Sequence, residues 1–221
     1  MKKTFQILSM AVIVLSAASC GGEGSGAKIP QLQALDKLTP AEMTAVKANG
    51  LYGKVKAVTT DKLVLEFNEA GEIIKSGDYI YTQKSRNRYT VTGKSGKSNY
   101  SFSFEKDIRT DNCIGDDVST AIYRFDEYGR LVRDAGYEWG TDYVYKNADA
   151  LPSSSSWDNW EESEEVVWQY EYQTIDDHGN WTERKTTEIT YSVVWENEKK
   201  IATETSRMEP VLETRTITYY E

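Results

Sequence analysis

Aromatic rings in polar surroundings are the best candidates for chemistry in this sequence. Trp157 and Trp160 lie in an otherwise polar stretch, and Trp139 lies between Tyr137 and Tyr143. Such rings, when exposed, can stack on the face of a sugar or pack against a partner protein. Trp139, Trp157 and Trp160 are therefore the candidate ligand contacts. The alternative is packing within the protein, with Trp157 and Trp160 as a lid over a sheet end and Trp139 paired across strands.

The reactive side chains argue against catalysis. The chain has 1 His and 2 Cys, and it lacks the Gly-x-Ser-x-Gly sequence that would position a nucleophilic serine. Because there are 35 Asp and Glu residues, a pair of carboxylates across a cleft, as in a carbohydrate hydrolase, stays open as the alternative. The sequence predicts a protein that is not an enzyme, with no catalytic residues and no cofactor.

Two acidic stretches could in principle bind a cation. The segment 107–117 carries aspartates on both sides of Gly115, and His178 directly follows two aspartates. Neither stretch has the spacing of a calcium loop, and a lone imidazole does not make a zinc site. We interpret both as solvated turns, so the sequence predicts no metal site.

The amino terminus has the pattern of a secretory signal peptide. Lys2 and Lys3 precede an apolar run that ends in small residues before Cys20. The segment 15–20 resembles a bacterial lipobox, in which the cysteine thiol is acylated before cleavage. The resemblance implies a signal peptide over residues 1–19 and a lipidated Cys20, which is followed by a flexible tether to residue 30. The alternative is an ordinary signal peptide with an incidental cysteine. Cys113 is interpreted as structural.

Charge restricts the partners. The chain has 26 Lys and Arg against 35 Asp and Glu, a net charge of −9. Nucleic acid is a poor partner for such a surface because phosphate neutralisation requires cations. The predicted partners are a membrane, reached through the amino-terminal acyl chains, and a glycan or an envelope protein.

Hydrophobic periodicity defines the elements that must position these residues. Thr39-Pro40-Ala41-Glu42 has the pattern of a capping box, so a short helical segment is predicted within residues 31–50. From residue 51 onwards apolar residues recur at every second position, which is typical of strands with one covered face. The prediction is an all-β domain over residues 51–221, an antiparallel meander of hairpins in a twisted, curved sheet. Residues 148–165 are predicted to be a surface loop.

Three junctions between these strands repeat one pattern. Each begins with Asn or Asp and has Gly three residues later: Asn68 to Gly71, Asp126 to Gly129, and Asp176 to Gly179. The first side chain can bond its own backbone, and the glycine can adopt positive φ. Each junction is therefore predicted to be a hairpin tip.

These residues carry a family resemblance. The segments 123–131 and 172–181 resemble the YD repeats of Rhs-type proteins, whose unit is a Tyr-containing strand, an Asp-x-x-Gly turn and a returning strand. The chain is also similar to small bacterial lipoproteins that open with a Gly-x-Val-Lys segment, here residues 53–56, and carry degenerate copies of that unit. The resemblance implies an all-β scaffold over about residues 51–195 and does not imply an activity.

Together these patterns predict a lipid-anchored, non-catalytic protein of the bacterial cell envelope, held on the outer membrane, that acts as a binding or scaffolding module. The alternative is an envelope carbohydrate hydrolase that uses two carboxylates. A third possibility is purely structural, in which strand edges near the carboxyl terminus pair with another chain.

Overall fold

The computed structural model describes residues 26–85, 87–114, 120–159, 163–197 and 199–221. The predicted signal peptide, the lipidation site Cys20 and the ligand candidate Trp160 lie outside these residues. So do Asp116 and Asp117 of the acidic segment and the first part of the tether.

Strands make up most of the described chain. A 3₁₀ turn, Pro40–Glu42, and one turn of helix, α1 (Ala45–Ala48), precede them. The strands are β1 Val55–Thr59, β2 Val64–Phe67, β3 Ile73–Ser76, β4 Tyr79–Ser85, β5 Arg88–Gly93, β6 Gly96–Glu105, β7 Ile108–Cys113, β8 Thr120–Phe125, β9 Leu131–Ala135, β10 Trp139–Val144, β11 Ser154–Asn159, β12 Glu164–Ile175, β13 Trp181–Glu196, β14 Lys199–Arg207, β15 Val211–Thr214 and β16 Thr216–Tyr219.

The strands form one antiparallel sheet in which each strand from β1 to β14 pairs with the next one along the chain. This order confirms the predicted all-β meander of successive hairpins. The carboxyl-terminal chain then turns back: β15 pairs with β13, and β16 pairs with β1. Because only Arg215 separates β15 from β16, this short stretch connects the late part of the strand series to its beginning.

The three repeated junctions are hairpin tips with one geometry. Gly71, Gly129 and Gly179 have φ of 79°, 69° and 89°. In each tip the glycine amide donates to the carbonyl three residues earlier, and the first residue's amide donates to the carbonyl four residues later. The side-chain oxygen of that first Asn or Asp also accepts from the amide four residues later. The side chain thus closes the turn that its sequence predicts.

An amino-terminal segment, residues 26–54, crosses all three tips in turn. Gly179 packs against Pro30, Gly129 against Leu35, and Gly71 against Thr44. Backbone hydrogen bonds fix the crossing, since the Leu35 amide donates to the Glu127 carbonyl at 2.8 Å. The amino-terminal segment therefore runs from the third tip to the first and covers one end of the sheet face.

The core lies between this segment and the sheet. Three buried clusters each combine segment residues with strand residues. Their buried members are Ala45, Val46, Leu51, Val55, Val58 and Phe67 in the first, Tyr52, Ala150, Leu151, Tyr172 and Trp181 in the second, and Met43, Phe125 and Leu131 in the third. Burial of these side chains is the main source of stability.

The predicted helical segment within residues 31–50 is present as two short pieces, Pro40–Glu42 and α1. They are separate because the Val46 amide donates to the Gly71 carbonyl at 2.9 Å rather than to the carbonyl four residues earlier. One detail of the sequence prediction is wrong: residues 148–165 are not one loop, because Ser154–Asn159 form β11, which pairs with β10 and β12.

We expect the turn carboxylate of Asp126 to be essential for stability. Its Oδ1 atom accepts from the amides of Tyr128 and Arg130, and its Oδ2 atom pairs with the Arg130 guanidinium at 2.6 Å. Asp126→Ala should lower the free energy of unfolding by about 3 kcal/mol, because it leaves a buried guanidinium without its partner. Urea denaturation measures this loss, and Glu127→Ala, an exposed position in the same tip, should change stability by less than about 0.5 kcal/mol. Equal losses in the two variants would contradict the assignment.

Candidate functional site

The part of the sheet face that the amino-terminal segment leaves uncovered forms a cleft of about 730 Å³. We call it the aromatic cleft. Three exposed rings lie along it: Tyr79, Tyr137 and Trp139, which are 50%, 62% and 39% exposed. The residues that line the cleft are Ala45, Ala48, Asn49, Leu63, Leu65, Ile73, Ser76, Tyr79, Tyr81, Tyr89, Val91, Tyr100, Asp111, Thr120, Ala121, Tyr123, Gly136, Tyr137, Glu138 and Trp139.

Strand alternation explains why the aromatic residues converge. Side chains two residues apart on a strand share a face, and directly paired residues on neighbouring strands also share a face. Trp139 therefore shares a face with Thr141. Thr141 pairs with Asp134 on β9, and Asp134 pairs with Tyr123 on β8, so all four side chains lie on one face of the sheet. The same rule places Tyr81 and Tyr89 on that face through the pairs between β4 and β5.

The exposed rings of the cleft and the hairpin tips lie at opposite ends of the strands. Gly129 precedes β9, whereas Gly136 and Trp139 follow its last residue, Ala135. Five residues of strand span roughly 16 Å. The aromatic cleft thus extends from α1 of the amino-terminal segment, whose Ala45 and Ala48 line it, to the end of the sheet away from the hairpin tips.

One wall of the cleft is a row of stacked tyrosines. The rings of Tyr89 and Tyr100 are parallel, with centroids 5.2 Å apart, and Tyr81 is tilted against Tyr89 at 5.8 Å. Offset stacking of this kind stabilises a sheet face and keeps each ring in one orientation. The wall is therefore rigid and presents ring edges and faces to the cleft.

Two of the exposed rings lie on glycines. A side chain at Gly136 would overlap the indole of Trp139, and one at Gly93 would overlap the ring of Tyr79. The missing Cβ atoms let each ring lie flat against the backbone. The orientation of both rings at the cleft is thus fixed by their neighbours rather than by a ligand.

Below the tyrosine wall lies a buried ion network centred on Arg109, which is 2% exposed. Its guanidinium contacts Glu72 Oε2 and Asp111 Oδ1 at 2.8 Å each, and it donates to the Met43 carbonyl at 3.2 Å. Asp111 also accepts from the Tyr89 hydroxyl at 2.9 Å. The network ties the first hairpin tip and the amino-terminal segment to the floor of the cleft.

Burial sets the protonation of these groups. Burial raises the pKa of Glu72 even though the charge of Arg109 opposes it. Burial alone would lower the pKa of Arg109, but the hydrogen bonds and charges of Asp111 and Glu72 raise it instead. Burial, with the nearby Asp111 carboxylate, raises the pKa of Tyr89 far above its ordinary value. Tyr89 is therefore neutral at physiological pH.

Asp134 is a carboxylate on the same face with an incomplete set of partners. It pairs in register with Tyr123, and its Oδ1 atom is buried without a hydrogen-bond partner. Burial raises the pKa of Asp134, against the opposing effects of the Thr141 hydroxyl and the Arg133 charge. A buried carboxylate with an unpartnered oxygen costs stability at neutral pH.

The structure separates the three predicted ligand contacts. Trp139 lines the aromatic cleft. Trp157 is half-buried in β11 and pairs with Thr141, so it shares the cleft face without lining the cleft. Trp160 lies outside the described residues. Tyr137 also lines the cleft, whereas Tyr143 is half-buried and packs against the third core cluster.

Several cleft residues were not singled out from the sequence. Tyr79 and Tyr81 belong to one alternating Tyr-x-Tyr pair, which is the signal that could have indicated an aromatic face on β4. Glu138 follows Tyr137 in the turn between β9 and β10. Nothing in the sequence places Arg109 next to Glu72, because the two residues are 37 positions apart.

The other sequence candidates lie away from the cleft, except Asp111. His178 is exposed at the third tip and stacks on Tyr219 with ring centroids 3.9 Å apart. Cys113 is a half-buried free thiol at the end of β7.

Within the described ranges, His, Cys, Asp and Glu side chains form no group of three that could hold a metal ion. In the same ranges, no helix has the length and apolar character needed to cross a membrane.

The sequence matches no protein-family model, and a search of curated proteins finds no match.

Replacement of Asp134 tests the account of its carboxylate. A raised carboxyl pKa in the folded state means that stability falls as pH rises through the folded pKa, because the folded protein binds the proton more tightly. Asp134→Asn should therefore raise the melting temperature at about pH 7.5, and the gain should shrink towards about pH 3. Thermal unfolding across this range measures the effect. Asp61→Asn, at an exposed turn, serves as the control; a gain independent of pH would refute the account.

Proposed function

We propose that this chain is a lipid-anchored, non-catalytic binding module of the bacterial cell envelope that holds a glycan in the aromatic cleft. The observation that carries the proposal is the set of three exposed rings, Tyr79, Tyr137 and Trp139, along a cleft that the amino-terminal segment leaves open. Exposed rings that gather at one concave site favour ligand binding over simple surface exposure.

The chemistry of the cleft suits a sugar. The apolar face of a pyranose stacks on Tyr and Trp rings, and its hydroxyls require hydrogen-bond partners. Asn49, Ser76 and Thr120 supply such partners among the lining residues. The rings on Gly93 and Gly136 are already oriented, so binding costs little additional conformational entropy.

The amino terminus supports the anchor. Lys2 and Lys3, the apolar run and the lipobox-like segment before Cys20 favour export and acylation. Two or more acyl chains hold a protein stably on a membrane. The similarity to small bacterial lipoproteins with YD-like hairpins supports the same assignment, with the outer membrane as the proposed location.

Metabolic labelling with palmitate tests the anchor. We expect the wild-type chain to incorporate label and Cys20→Ala to lose it entirely. Cys113→Ala is the matched control, because it removes the other cysteine and should leave labelling unchanged. Label retained in Cys20→Ala would rule out lipidation at this position.

Glycan binding is tested on a glycan array, followed by calorimetry on the oligosaccharides that are retained. Trp139→Ala should weaken binding about tenfold, equivalent to about 1.4 kcal/mol, because it removes a stacking surface. Gly136→Ala should weaken binding as well, because the new methyl group displaces the indole without removing it. Trp195→Ala, an exposed tryptophan on β13, is the matched control and should bind normally. Absence of any retained glycan, or normal binding by Trp139→Ala, would argue against the proposal.

The second candidate is a carbohydrate hydrolase that uses two carboxylates, and Asp134, whose pKa is raised by burial, favours it. A neutral carboxyl group can act as a general acid in glycoside cleavage. The discriminating measurement is the release of new reducing ends from the retained glycans. The binding module releases none, whereas a hydrolase releases them and loses the activity in Asp134→Asn.

A further inference from the structure

We infer that the aromatic cleft prefers a glycan that carries protonated amino groups, that is, an oligosaccharide of amino sugars that are not acetylated. The inference rests on the proposed glycan-binding function and adds the charge of the ligand. It follows from which charged groups face the cleft and which face away from it.

The lining of the cleft carries negative charge. Asp111 and Glu138 line it, whereas no Lys, Arg or His is found among its described lining residues. Asp134 lies on the same face and pairs in register with Tyr123, but it does not line the cleft. In a partly desolvated cleft these charges favour a cation and oppose an anion.

Three cations on elements next to the cleft are turned away or occupied. Lys47 belongs to α1, but its ammonium lies 4.1 Å from the ring centroid of Tyr52, in the core outside the cleft. Arg133 neighbours Asp134 on β9 and so points to the opposite face, where it pairs with Asp142. Arg109 is buried between two carboxylates, and its guanidinium lies 4.7 Å from the ring centroid of Phe102. None of these three residues can offer its charge to an anionic ligand.

Aromatic faces beside carboxylates form a binding site for an ammonium group. The negative face of a Tyr or Trp ring attracts a cation, most strongly when water is partly excluded. Trp139 and Tyr137 flank Glu138 in a single turn, which the bond from the Gly136 amide to the Trp139 carbonyl closes at 3.0 Å. A protonated amine on a sugar stacked against Trp139 would lie within reach of the Glu138 carboxylate.

The experiment compares two ligands that differ in acetylation and hence in charge. The probes are the β-1,4-linked hexamers of glucosamine and of N-acetylglucosamine, titrated into the purified protein by calorimetry at about pH 5.5. At this pH the amines are protonated, and ordinary carboxylates are ionised. We expect the glucosamine hexamer to bind at least about tenfold more tightly.

Two variants assign the preference to the cleft. Glu138→Gln should reduce the preference at least about threefold, because it removes the carboxylate that attracts the protonated amines and so weakens binding of the glucosamine hexamer most. Glu127→Gln makes the same substitution at the opposite end of β9 and should have no effect. Trp139→Ala should weaken binding of the glucosamine hexamer, because it removes the ring on which the sugar stacks. This expectation does not depend on how the variant changes the ratio of the two affinities. Melting temperatures confirm that the variants are folded.

The outcomes separate this inference from the proposed function. Equal affinity for the two hexamers, tighter binding of the N-acetylated one, or a preference that survives Glu138→Gln overturns the inference and leaves glycan binding in place. If neither hexamer binds, the inference fails, and the proposed function then depends on whether the array retains an uncharged glycan. If the array retains nothing, both fail.

Discussion

The structure depends on one requirement: the apolar face of a long meander must be shielded from water. Residues 26–54 cover one end, and each core cluster combines side chains of this segment with side chains of the strands. Because a single extended segment cannot cover the whole face, the remainder stays open and becomes the aromatic cleft. The core and the candidate site are thus two regions of one continuous surface.

A buried cation links these two regions. Arg109 would be costly to bury alone, but Glu72, Asp111 and the Met43 carbonyl satisfy its guanidinium. Through Asp111 the same network fixes the hydroxyl of Tyr89 in the cleft wall. The position of the first hairpin tip is therefore coupled to the geometry of the site, although the two lie on different strands.

Local signals predict the architecture well. Alternating apolar residues indicate the strands, and the three Asn/Asp-x-x-Gly sequences indicate the hairpin tips. Each tip can be predicted locally because the hydrogen bond from its Asn or Asp side chain to the backbone lies within five consecutive residues. The parts that could not be predicted depend on contacts between distant residues. The helical segment is interrupted by Gly71, and Ser154–Asn159 become a strand because the neighbouring strands supply the hydrogen bonds. For the site, the sequence indicates Trp139 and Tyr137, but the convergence of Tyr79 and Asp111 with them requires the pairing of many strands.

The entry point of the chain into the fold limits how an anchored molecule can be oriented. The Ala27 amide donates to the Tyr172 carbonyl, close to the third hairpin tip. Only five residues separate Cys20 from Gly26, and the six Cα–Cα steps of an extended chain span about 20 Å. An acylated Cys20 would hold the end with the hairpin tips near the lipid headgroups. The opening lined by Tyr137 and Trp139 would then point outward, towards polymers that approach from the aqueous side.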